Sequence, residues 1–247
     1  MTDTTVDAFL GGAVMAEQPV QGYRAAMDAV FLAAACPAQA GESVLDLGLG
    51  VGVASLCLGR RVSGMALTGL EVQPAYAALA RANAVRNDLA LDVIEGDAAA
   101  MPDMLRARSF DHVITNPPFF EPGKGLSNPD AGRDTAFRES LGLGPWLDVA
   151  LRRVGPKGSL TVIHRAERLA EMLAALHGRL GALRITPLQS RVGQSAKRVI
   201  VRGKKGSRAP LSLEPPFILH AAAQHEGDFE DLTPAAQRIL KEGAALS

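Results

Sequence analysis

The residues best suited to chemistry stand where predicted strands end. One strand runs into Asp46-Leu47-Gly48-Leu49-Gly50-Val51-Gly52, with a glycine at every second position, and the next two strands end in Glu71 and Asp97. Glycines at such positions let a turn adopt positive φ and let a ligand approach the backbone closely. The spacing is GxGxG, whereas a dinucleotide site favours GxGxxG. Taken alone, the glycines are also compatible with a plain tight turn, and each acid with a helix cap.

The three acids together indicate a particular kind of ligand. Glu71 closes the second strand, where a carboxylate can accept hydrogen bonds from both hydroxyls of a ribose. Asp97 closes the third strand, where it can lie beside an adenine. A ligand with a ribose, an adenine, no phosphate and a positive centre suits this set, and S-adenosyl-L-methionine has these features. We expect the cofactor to be bound by Asp46, Gly48, Gly50, Gly52, Glu71 and Asp97.

A fourth strand ends in Asn116-Pro117-Pro118-Phe119. Proline has no amide hydrogen and a fixed φ, so Pro117 and Pro118 stop the hydrogen-bond ladder and leave carbonyls unpaired. The Asn116 side-chain oxygen and the Pro117 carbonyl can accept the two hydrogens of a planar NH₂ group, while Phe119 stacks on the group that bears it. This predicts a site for methyl transfer to a weakly nucleophilic amine. The structural alternative is a strand ended by prolines, with Phe119 in the core.

These residues lie among strands and helices that alternate from about residue 43. The predicted strands are 43–48, 66–72, 91–97, 110–116 and 159–164, followed by LRITPLQSR (183–191) and KRVIVRG (197–203). The alternation predicts a mostly parallel sheet with helices on both faces, and the last two strands follow each other closely enough to be antiparallel neighbours at an edge. The expected fold is therefore α/β, a Rossmann-like, doubly wound, mostly parallel seven-stranded sheet with an antiparallel edge strand.

The composition indicates an ordinary globular chain. Its 247 residues are 47% hydrophobic and 21% charged, so we expect one domain, with an N-terminal cap segment (1–40), a catalytic core (41–208) and a C-terminal tail (209–247). Cys36 and Cys57 lie in apolar runs and predict buried thiols, and the histidine spacing indicates no metal site. No apolar stretch approaches the roughly 20 residues of a membrane span. We expect no membrane partner and a cytoplasmic location.

The charges balance overall but not locally. The chain has 26 basic and 26 acidic residues. No acid occurs between Met172 and Leu213, a segment that contains Arg179, Arg184, Arg191, Lys197, Arg198, Arg202, Lys204, Lys205 and Arg208. Such a run is usually a solvated surface, and it is also what a phosphate-binding face for a nucleic acid requires. The segment from Phe120 to Ser140, with three further cations, is either a surface loop or a lid over the acceptor site.

The glycine turn and the Asn-Pro-Pro-Phe motif together resemble the class I S-adenosylmethionine-dependent methyltransferases that modify amino groups. A closer likeness is to the bacterial tRNA1(Val) adenine-N6 methyltransferase family. It is carried by Asp7 to Gly12, Gln18-Pro19, Gly22-Tyr23-Arg24, Asp28 to Val30, Arg198 to Arg202, Lys205 to Leu211 and Leu219-His220. The likeness implies that Gln18 and Arg24 lie over the cofactor pocket, with Arg24 facing the methionine carboxylate. Leu49 stands where this class usually has a small residue, which predicts a less open turn.

The resemblance implies methyl transfer to the N6 amino group of adenine in tRNA, catalysed at Asn116 to Phe119. Two other acceptors remain open, the N2 of guanine in ribosomal RNA and the N5 of a glutamine in a protein. A non-enzymatic alternative is an RNA-binding or cofactor-sensing module with a degenerate site, which the intact acids and the Asn-Pro-Pro-Phe motif disfavour. The sequence does not determine the nucleotide position, the tRNA species or the oligomeric state.

Overall fold

The computed structural model describes residues 3–118, 141–222 and 231–246. The strands are β1 (Thr4–Phe9), β2 (Val14–Pro19), β3 (Ser43–Leu47), β4 (Ala66–Glu71), β5 (Asp92–Glu95), β6 (Phe110–Thr115), β7 (Val154–Arg165), β8 (Leu180–Gln189), β9 (Arg198–Lys205), β10 (Ser212–Leu213) and β11 (Phe217–Ile218). The helices are α1 (Met27–Ala35), α2 (Val53–Arg61), α3 (Pro74–Arg86), α4 (Asp103–Arg106), α5 (Leu143–Arg153), α6 (Leu169–Leu176) and α7 (Pro234–Glu242).

Nine strands form the main sheet, in the order β10-β8-β9-β7-β6-β3-β4-β5, and β11 also pairs with β8. Strands β3 to β7 are parallel to their neighbours within this group. The chain proceeds from β3 outward to β5 on one side, then returns to β6 on the other side of β3. The order therefore switches between β3 and β6, and in open α/β sheets ligands bind beyond the carboxyl ends of the strands at such a point.

All seven predicted strands are present, and the fold class is confirmed. Strand β9 runs antiparallel to both β7 and β8, so the last two predicted strands are antiparallel neighbours as expected. Two details differ from the prediction. The antiparallel strand lies one place inside the edge, between β7 and β8, and the two-residue strands β10 and β11 extend the sheet to nine. Those two strands are too short to give a recognisable sequence pattern.

The buried strands place alternate residues on opposite faces of the sheet. In β3, Val44 enters the core beneath α1 and α2, while Leu45 and Leu47 enter a second core with α5 and α6. In β6, Ile114 enters the first of these cores and Val113 enters the second. This period-2 alternation, with apolar residues on both faces, is why the sheet is covered by helices on both sides.

The two cysteines lie within the core, as predicted. Cys36 and Cys57 are both unpaired and buried. Burial raises the pKa of the Cys36 thiol to about 11 and that of the Cys57 thiol to about 12. Both therefore stay protonated at neutral pH and act as small apolar residues.

The N-terminal segment contains a β-hairpin that the sequence pattern did not predict. Strands β1 and β2 pair antiparallel, and two asparagines of α3 bind the backbone of β2. The Asn83 carboxamide accepts from Glu17 N at 2.7 Å and donates to Glu17 O at 3.0 Å. Asn87 does the same for Met15, with both distances 2.8 Å. Two carboxamides thus replace a neighbouring strand and attach the hairpin to α3.

The C-terminal tail packs back onto α1. Helix α7 begins at Pro234, with the Thr233 hydroxyl accepting from Ala236 N at 3.1 Å, and ends at Gly243 with φ 70°. Both are common helix-terminus features. Its residue Ile239 enters the core that contains α1, and Leu246 N donates to Ala34 O at 2.9 Å.

None of the helices in the described ranges is long and apolar enough to cross a membrane.

Candidate active site

The predicted site residues come from adjacent strands at the point where the sheet order switches. The glycine turn follows β3, Glu71 ends β4, and Asn116 follows β6, which lies on the other side of β3. The Thr115 hydroxyl donates to Leu47 O at 2.7 Å and joins the ends of β6 and β3. Trp146 of α5 donates through Nε1 to the same hydroxyl at 2.9 Å. These bonds hold the two parts of the site beside each other.

All three predicted turn glycines have left-handed backbones. The φ angles are 81° at Gly48, 58° at Gly50 and 90° at Gly52, a region that residues with a Cβ rarely adopt. A Cβ on Gly48 would also lie 3.0 Å from Cζ2 of Trp146, and one on Gly50 would lie 3.6 Å from Cε1 of Tyr23. The turn thus has backbone without side chains at Gly48, beside the Trp146 ring, and at Gly50, beside the Tyr23 ring.

Glu71 binds the glycine turn directly. Its carboxylate is buried, with Oε2 accepting from Gly50 N at 2.8 Å and Oε1 accepting from Gln73 N at 2.9 Å. Each carboxylate oxygen can accept more than one hydrogen bond, so the group retains capacity for the hydroxyls of a sugar.

Asp46 lies beneath the turn. It is buried, and its Oδ2 accepts from the Ser55 hydroxyl at 2.8 Å in the first turn of α2. Burial, followed by the charge of Glu71, raises the pKa of the Asp46 carboxyl to about 7. A positive ligand beside this pair of acids would favour the ionised form.

Asp97 lies just past the end of β5, which stops at Glu95, two residues earlier than predicted. Its Oδ1 accepts from Ala99 N at 2.8 Å and so stabilises its own turn. This is the turn role that a single acid at a strand end commonly has.

Asn116 has one end of its carboxamide bonded and the other end unpaired. Its Nδ2 donates to the Tyr23 hydroxyl at 3.2 Å. Its Oδ1 is buried and has no hydrogen-bond partner in the part of the chain that the structure describes. Leaving a buried acceptor unpaired costs about 1 to 3 kcal/mol, so such an atom calls for an explanation, and a ligand that donates to it is one. Pro117 and Pro118 follow directly, while Phe119 lies outside the described residues.

Tyr23 connects the two halves of the site, a role that sequence reasoning missed. Its hydroxyl meets Asn116, its ring lies against Gly50, and its carbonyl accepts from the Tyr76 hydroxyl of α3 at 3.1 Å. The Gly22-Tyr23-Arg24 motif drew attention to this segment, but nothing in the sequence indicated that Tyr23 contacts Asn116, 93 residues away.

Gln18 and Arg24 bond within the N-terminal segment. Gln18 donates to Asp7 Oδ2 at 2.6 Å and to Ala25 O at 3.1 Å, and it accepts from Ala25 N at 2.8 Å. Arg24 forms an ion pair with Asp7 and donates to Pro19 O at 2.7 Å. Their observed contacts shape the segment that carries Tyr23, and the predicted contact of Arg24 with a methionine carboxylate stays a prediction.

The side chain of Leu49 packs against Gly69 of β4, which has no side chain of its own. It is buried, and a Cβ on Gly69 would lie only 2.5 Å from its Cδ2. Gly69 thus leaves the space that the larger residue in the turn needs. The predicted effect of Leu49 on how open the turn is remains a prediction.

Most cations of the basic segment from Arg179 to Arg208 are bonded within the protein. Six of the nine cations bond to groups supplied by distant parts of the chain. The pairs are Arg179 with Asp148, Arg184 with Glu214, Arg191 with Asp231, Arg198 with Asp28, Arg202 with Ala35 O and Lys205 with Val154 O. The expectation that this run forms a phosphate-binding face stays a prediction, and phosphate would have to compete with the present partners of these six cations. Lys197, Lys204 and Arg208 are exposed.

A smaller cationic region lies at the site edge. Arg165 ends β7 beside Arg198, its cross-strand partner on β9. Burial, followed by the charges of Arg168, Arg165 and Arg198, lowers the pKa of the His164 imidazole to about 4. Each of these arginines also has an acidic partner, Arg165 with Glu167, Arg168 with Glu171 and Arg198 with Asp28. The lid predicted at 120–140 lies outside the described residues, and within the described ranges no three His, Cys, Asp or Glu side chains cluster as metal ligands do.

Comparison with known proteins identifies the class. Residues 25–130 match the methyltransferase small domain family. A solved structure from Agrobacterium tumefaciens, described as a predicted O-methyltransferase, has a TM-score of 0.71 and 29% identity, and the alignment covers 89% of this chain and 98% of that chain. The Thermus thermophilus 16S rRNA N2 G1207 methyltransferase shares the fold, with a TM-score of 0.58 and 18% identity over 82% of this chain and 50% of that one. The chain therefore has the fold of the class I S-adenosylmethionine-dependent methyltransferases.

Closer relatives define the family within that class. The tRNA1(Val) (adenine(37)-N6)-methyltransferase of Shewanella baltica is 31% identical over 187 residues, which are 72% of this chain and 76% of that protein. The enzyme of that name from Porphyromonas gingivalis is 30% identical over 165 residues, and the match covers 64% of each protein. The chain thus spans slightly less than two thirds of the latter relative. It belongs to the tRNA1(Val) (adenine(37)-N6)-methyltransferase family, and the resemblance inferred from its motifs is confirmed.

Proposed function

We propose that this protein transfers the methyl group of S-adenosylmethionine to the exocyclic N6 amino group of an adenine in tRNA. The observation that carries the proposal is the buried, unpaired Oδ1 of Asn116, two strands from Glu71 and joined to the glycine turn through Tyr23. An unpaired acceptor in this position suits a substrate that presents N–H groups. The names of the related enzymes specify adenine 37 of tRNA1(Val), which makes that tRNA the first substrate to test.

The residues present fit the cofactor. The bare turn at Gly48 and Gly50 allows close approach to backbone, and buried Glu71 has acceptor capacity for ribose hydroxyls. Asp46 and Glu71 form an anionic pair that a positive ligand would stabilise. When bound, S-adenosylmethionine supplies an electrophilic methyl group on a sulfonium. The assignments of the cofactor to Asp46, Gly48, Gly50, Gly52, Glu71 and Asp97 stay predictions.

The chain's own part in the reaction is to orient a weak nucleophile. The lone pair of adenine N6 is delocalised into the ring, and Asn116 Oδ1 and the Pro117 carbonyl would accept its two hydrogens. This arrangement directs the nitrogen toward the methyl group, so that a C–N bond forms as the C–S bond breaks. The extra proton then leaves N6 for water, and no general base is needed before transfer. Alignment of reacting groups accounts for much of the rate enhancement in such reactions.

The substrate backbone would lie along the carboxyl end of β7. Phosphate contacts position a nucleic acid, whereas contacts to the base select it. Arg165, which ends β7 beside β6, and Arg198, its cross-strand partner on β9, would serve the first task by exchanging their acidic partners Glu167 and Asp28 for phosphate, and Asn116 would serve the second. A tRNA substrate also implies a cytoplasmic location, which we propose on that ground alone.

The identity of the methylated product tests the proposal. The protein is incubated with methyl-labelled S-adenosylmethionine and, separately, with unmodified tRNA1(Val), ribosomal subunits and a peptide release factor, and each product is digested. We expect N6-methyladenosine from the tRNA. N2-methylguanosine from ribosomal RNA or N5-methylglutamine from the protein would replace the proposal with that acceptor. In the matched variant Asn116→Ala, turnover should fall about 100-fold, because misplaced reacting groups commonly lose this much.

A further inference from the structure

We infer that Tyr23 is a positioning residue that anchors the Asn116 carboxamide so that its oxygen can face the substrate. The inference rests on the proposed function, because it assigns Asn116 Oδ1 to the amino group that is methylated. The Tyr23 hydroxyl accepts from Asn116 Nδ2 at 3.2 Å, which leaves Oδ1 as the unpaired end. The two phenolic residues of the chain are Tyr23 and Tyr76, and in the described residues it is the Tyr23 hydroxyl that bonds to Asn116.

The Asn116 carboxamide must be held in place with its oxygen toward the substrate. Its oxygen and its NH₂ group are nearly the same size, so packing alone distinguishes the two orientations poorly. If Asn116 were reversed, its NH₂ would face the substrate NH₂, and two donors would meet without an acceptor. The Tyr23 hydroxyl can accept from Nδ2 or donate to Oδ1, so it anchors the carboxamide, and a substrate that presents N–H groups then favours the orientation seen here, with Nδ2 on Tyr23 and Oδ1 unpaired.

Tyr23 is itself held in place from two directions. Its backbone carbonyl accepts from the Tyr76 hydroxyl at 3.1 Å. The preceding Gly22 has φ 101°, and a Cβ there would lie 2.8 Å from the same hydroxyl, so the close approach requires glycine. On the other side, the Tyr23 ring contacts Gly50, whose N–H donates to Glu71. A continuous set of contacts therefore runs from the predicted ribose-binding acid through Gly50 and Tyr23 to Asn116.

This arrangement makes a specific kinetic prediction. Tyr23→Phe retains the ring against Gly50 and removes only the hydroxyl. We expect kcat to fall about tenfold, the loss typical of one hydrogen bond in a positioned group. The KM for S-adenosylmethionine should stay within about twofold, since the turn keeps its aromatic neighbour. A residue with a purely structural role would instead change the Tm and the cofactor affinity together.

A double-mutant cycle tests whether Tyr23 acts through Asn116. Wild type, Tyr23→Phe, Asn116→Ala and the double variant are compared for kcat at saturating substrate, and thermal melting confirms that each is folded. Cofactor affinity is read from the fluorescence of Trp146, the single tryptophan of the chain, because its ring lies at Gly48. We expect the tenfold loss in the wild-type background and no further loss in the Asn116→Ala background.

Two results would overturn the inference. One is a Tyr23→Phe variant with wild-type kcat, and the other is an equal loss in both backgrounds, which would mean that Tyr23 acts independently of Asn116. The cycle is measured on whichever amine the wild type methylates. If the proposed acceptor is wrong, the identity of the methylated product will differ. If the role of Tyr23 is wrong, the double-mutant cycle will show no coupling between Tyr23 and Asn116.

Discussion

Two polar regions of this molecule differ in how completely their groups are paired. At the carboxyl ends of β3, β4 and β6, buried Asn116 Oδ1 has no partner among the described residues, and two acids lie close enough to raise a pKa. Along β8 and β9, six of nine cations are bonded to acids or carbonyls, including a buried pair of Arg191 with Asp231. The first region retains unsatisfied groups for a ligand, whereas the second is mostly committed to holding the fold.

The contrast shows that charge along the sequence differs from charge in space. The segment 172–213 contains no acid, yet Asp28, Asp148, Glu214 and Asp231 reach it from elsewhere. Paired surface charges contribute little to stability and present little net field to a partner. The arginines around His164 are paired as well, so what favours them as phosphate contacts is their position at the carboxyl end of β7, beside β6, rather than unpaired charge.

The largest effect on cofactor binding is expected at Glu71. In Glu71→Gln one of the two backbone N–H groups, Gly50 or Gln73, would lose its acceptor and face an NH₂ group. We expect affinity for S-adenosylmethionine to fall at least about tenfold, as a lost charge-assisted bond of about 1.5 to 3 kcal/mol implies. Fluorescence of Trp146 or calorimetry measures the change.

The matched control is Glu95→Gln on β5, the register partner of Glu71. Glu95 is exposed and pairs with Arg81 at 2.6 Å. The Glu95→Gln variant should bind the cofactor as the wild type does. Equal losses in the two variants would remove the distinction between Glu71 and an ordinary strand-end acid.

The next effect distinguishes two asparagines of α3. Both bind the hairpin, but Asn83 also donates to Val51 O in the glycine turn at 3.1 Å. Asn83→Ala should weaken cofactor binding about threefold to tenfold, and Asn87→Ala should change it less than about twofold. Both should lower the free energy of unfolding by about 1 to 3 kcal/mol, because buried backbone groups of β2 lose partners. If Asn87→Ala weakens cofactor binding as much, the hairpin rather than the turn accounts for the effect.

These asparagines illustrate which features the sequence could predict. The glycine turn, the acid at the end of β4 and the strand containing Asn116 were predictable because each depends on residues close together in the chain. The hairpin was not, because β1 is largely exposed and β2 is completed by carboxamides about 70 residues away. The Leu49–Gly69 contact, the Tyr23–Asn116 bond and the pairing of Arg184 with Glu214 also depend on the tertiary fold.

A smaller effect is expected from Asp46 on the pH dependence of thermal stability. Its pKa is 3.8 in the reference state and about 7 in the folded protein, chiefly because of burial. Between these values the folded state holds a proton that the unfolded state has lost, so stability falls as the pH rises from about 4 to about 7. Asp46→Asn lacks this penalty. Without cofactor, its Tm should match the wild type near pH 3.5 and exceed it by a few degrees at pH 8.

Thermal melts across this range measure the difference. If the Tm advantage of Asp46→Asn is constant with pH, or absent at pH 8, then folding does not raise the pKa of Asp46. Cofactor affinity of the same variant should decrease, since a neutral amide no longer attracts a positive ligand.

The smallest effect is expected from Arg184 of β8, which lies three strands from β6 in the sheet. Arg184→Ala, which removes a partner of Glu214, should change tRNA affinity less than about twofold and leave the salt dependence of binding unchanged. Arg165→Ala, at the site edge beside β6, should weaken binding several-fold and reduce the salt slope by about one. Filter binding over a series of salt concentrations distinguishes the two variants. A larger effect from Arg184 would show that pairing leaves the β8–β9 region available to RNA.

The central claim is that Asn116 Oδ1 receives a hydrogen from the amine that is methylated. A crystal structure with S-adenosylhomocysteine and a tRNA fragment that contains the target adenine tests it directly. We expect the adenine N6 within about 2.7 to 3.2 Å of Asn116 Oδ1, with Nδ2 still bonded to the Tyr23 hydroxyl. An Oδ1 that is bonded to a protein donor, or an adenine that binds elsewhere, would contradict the account.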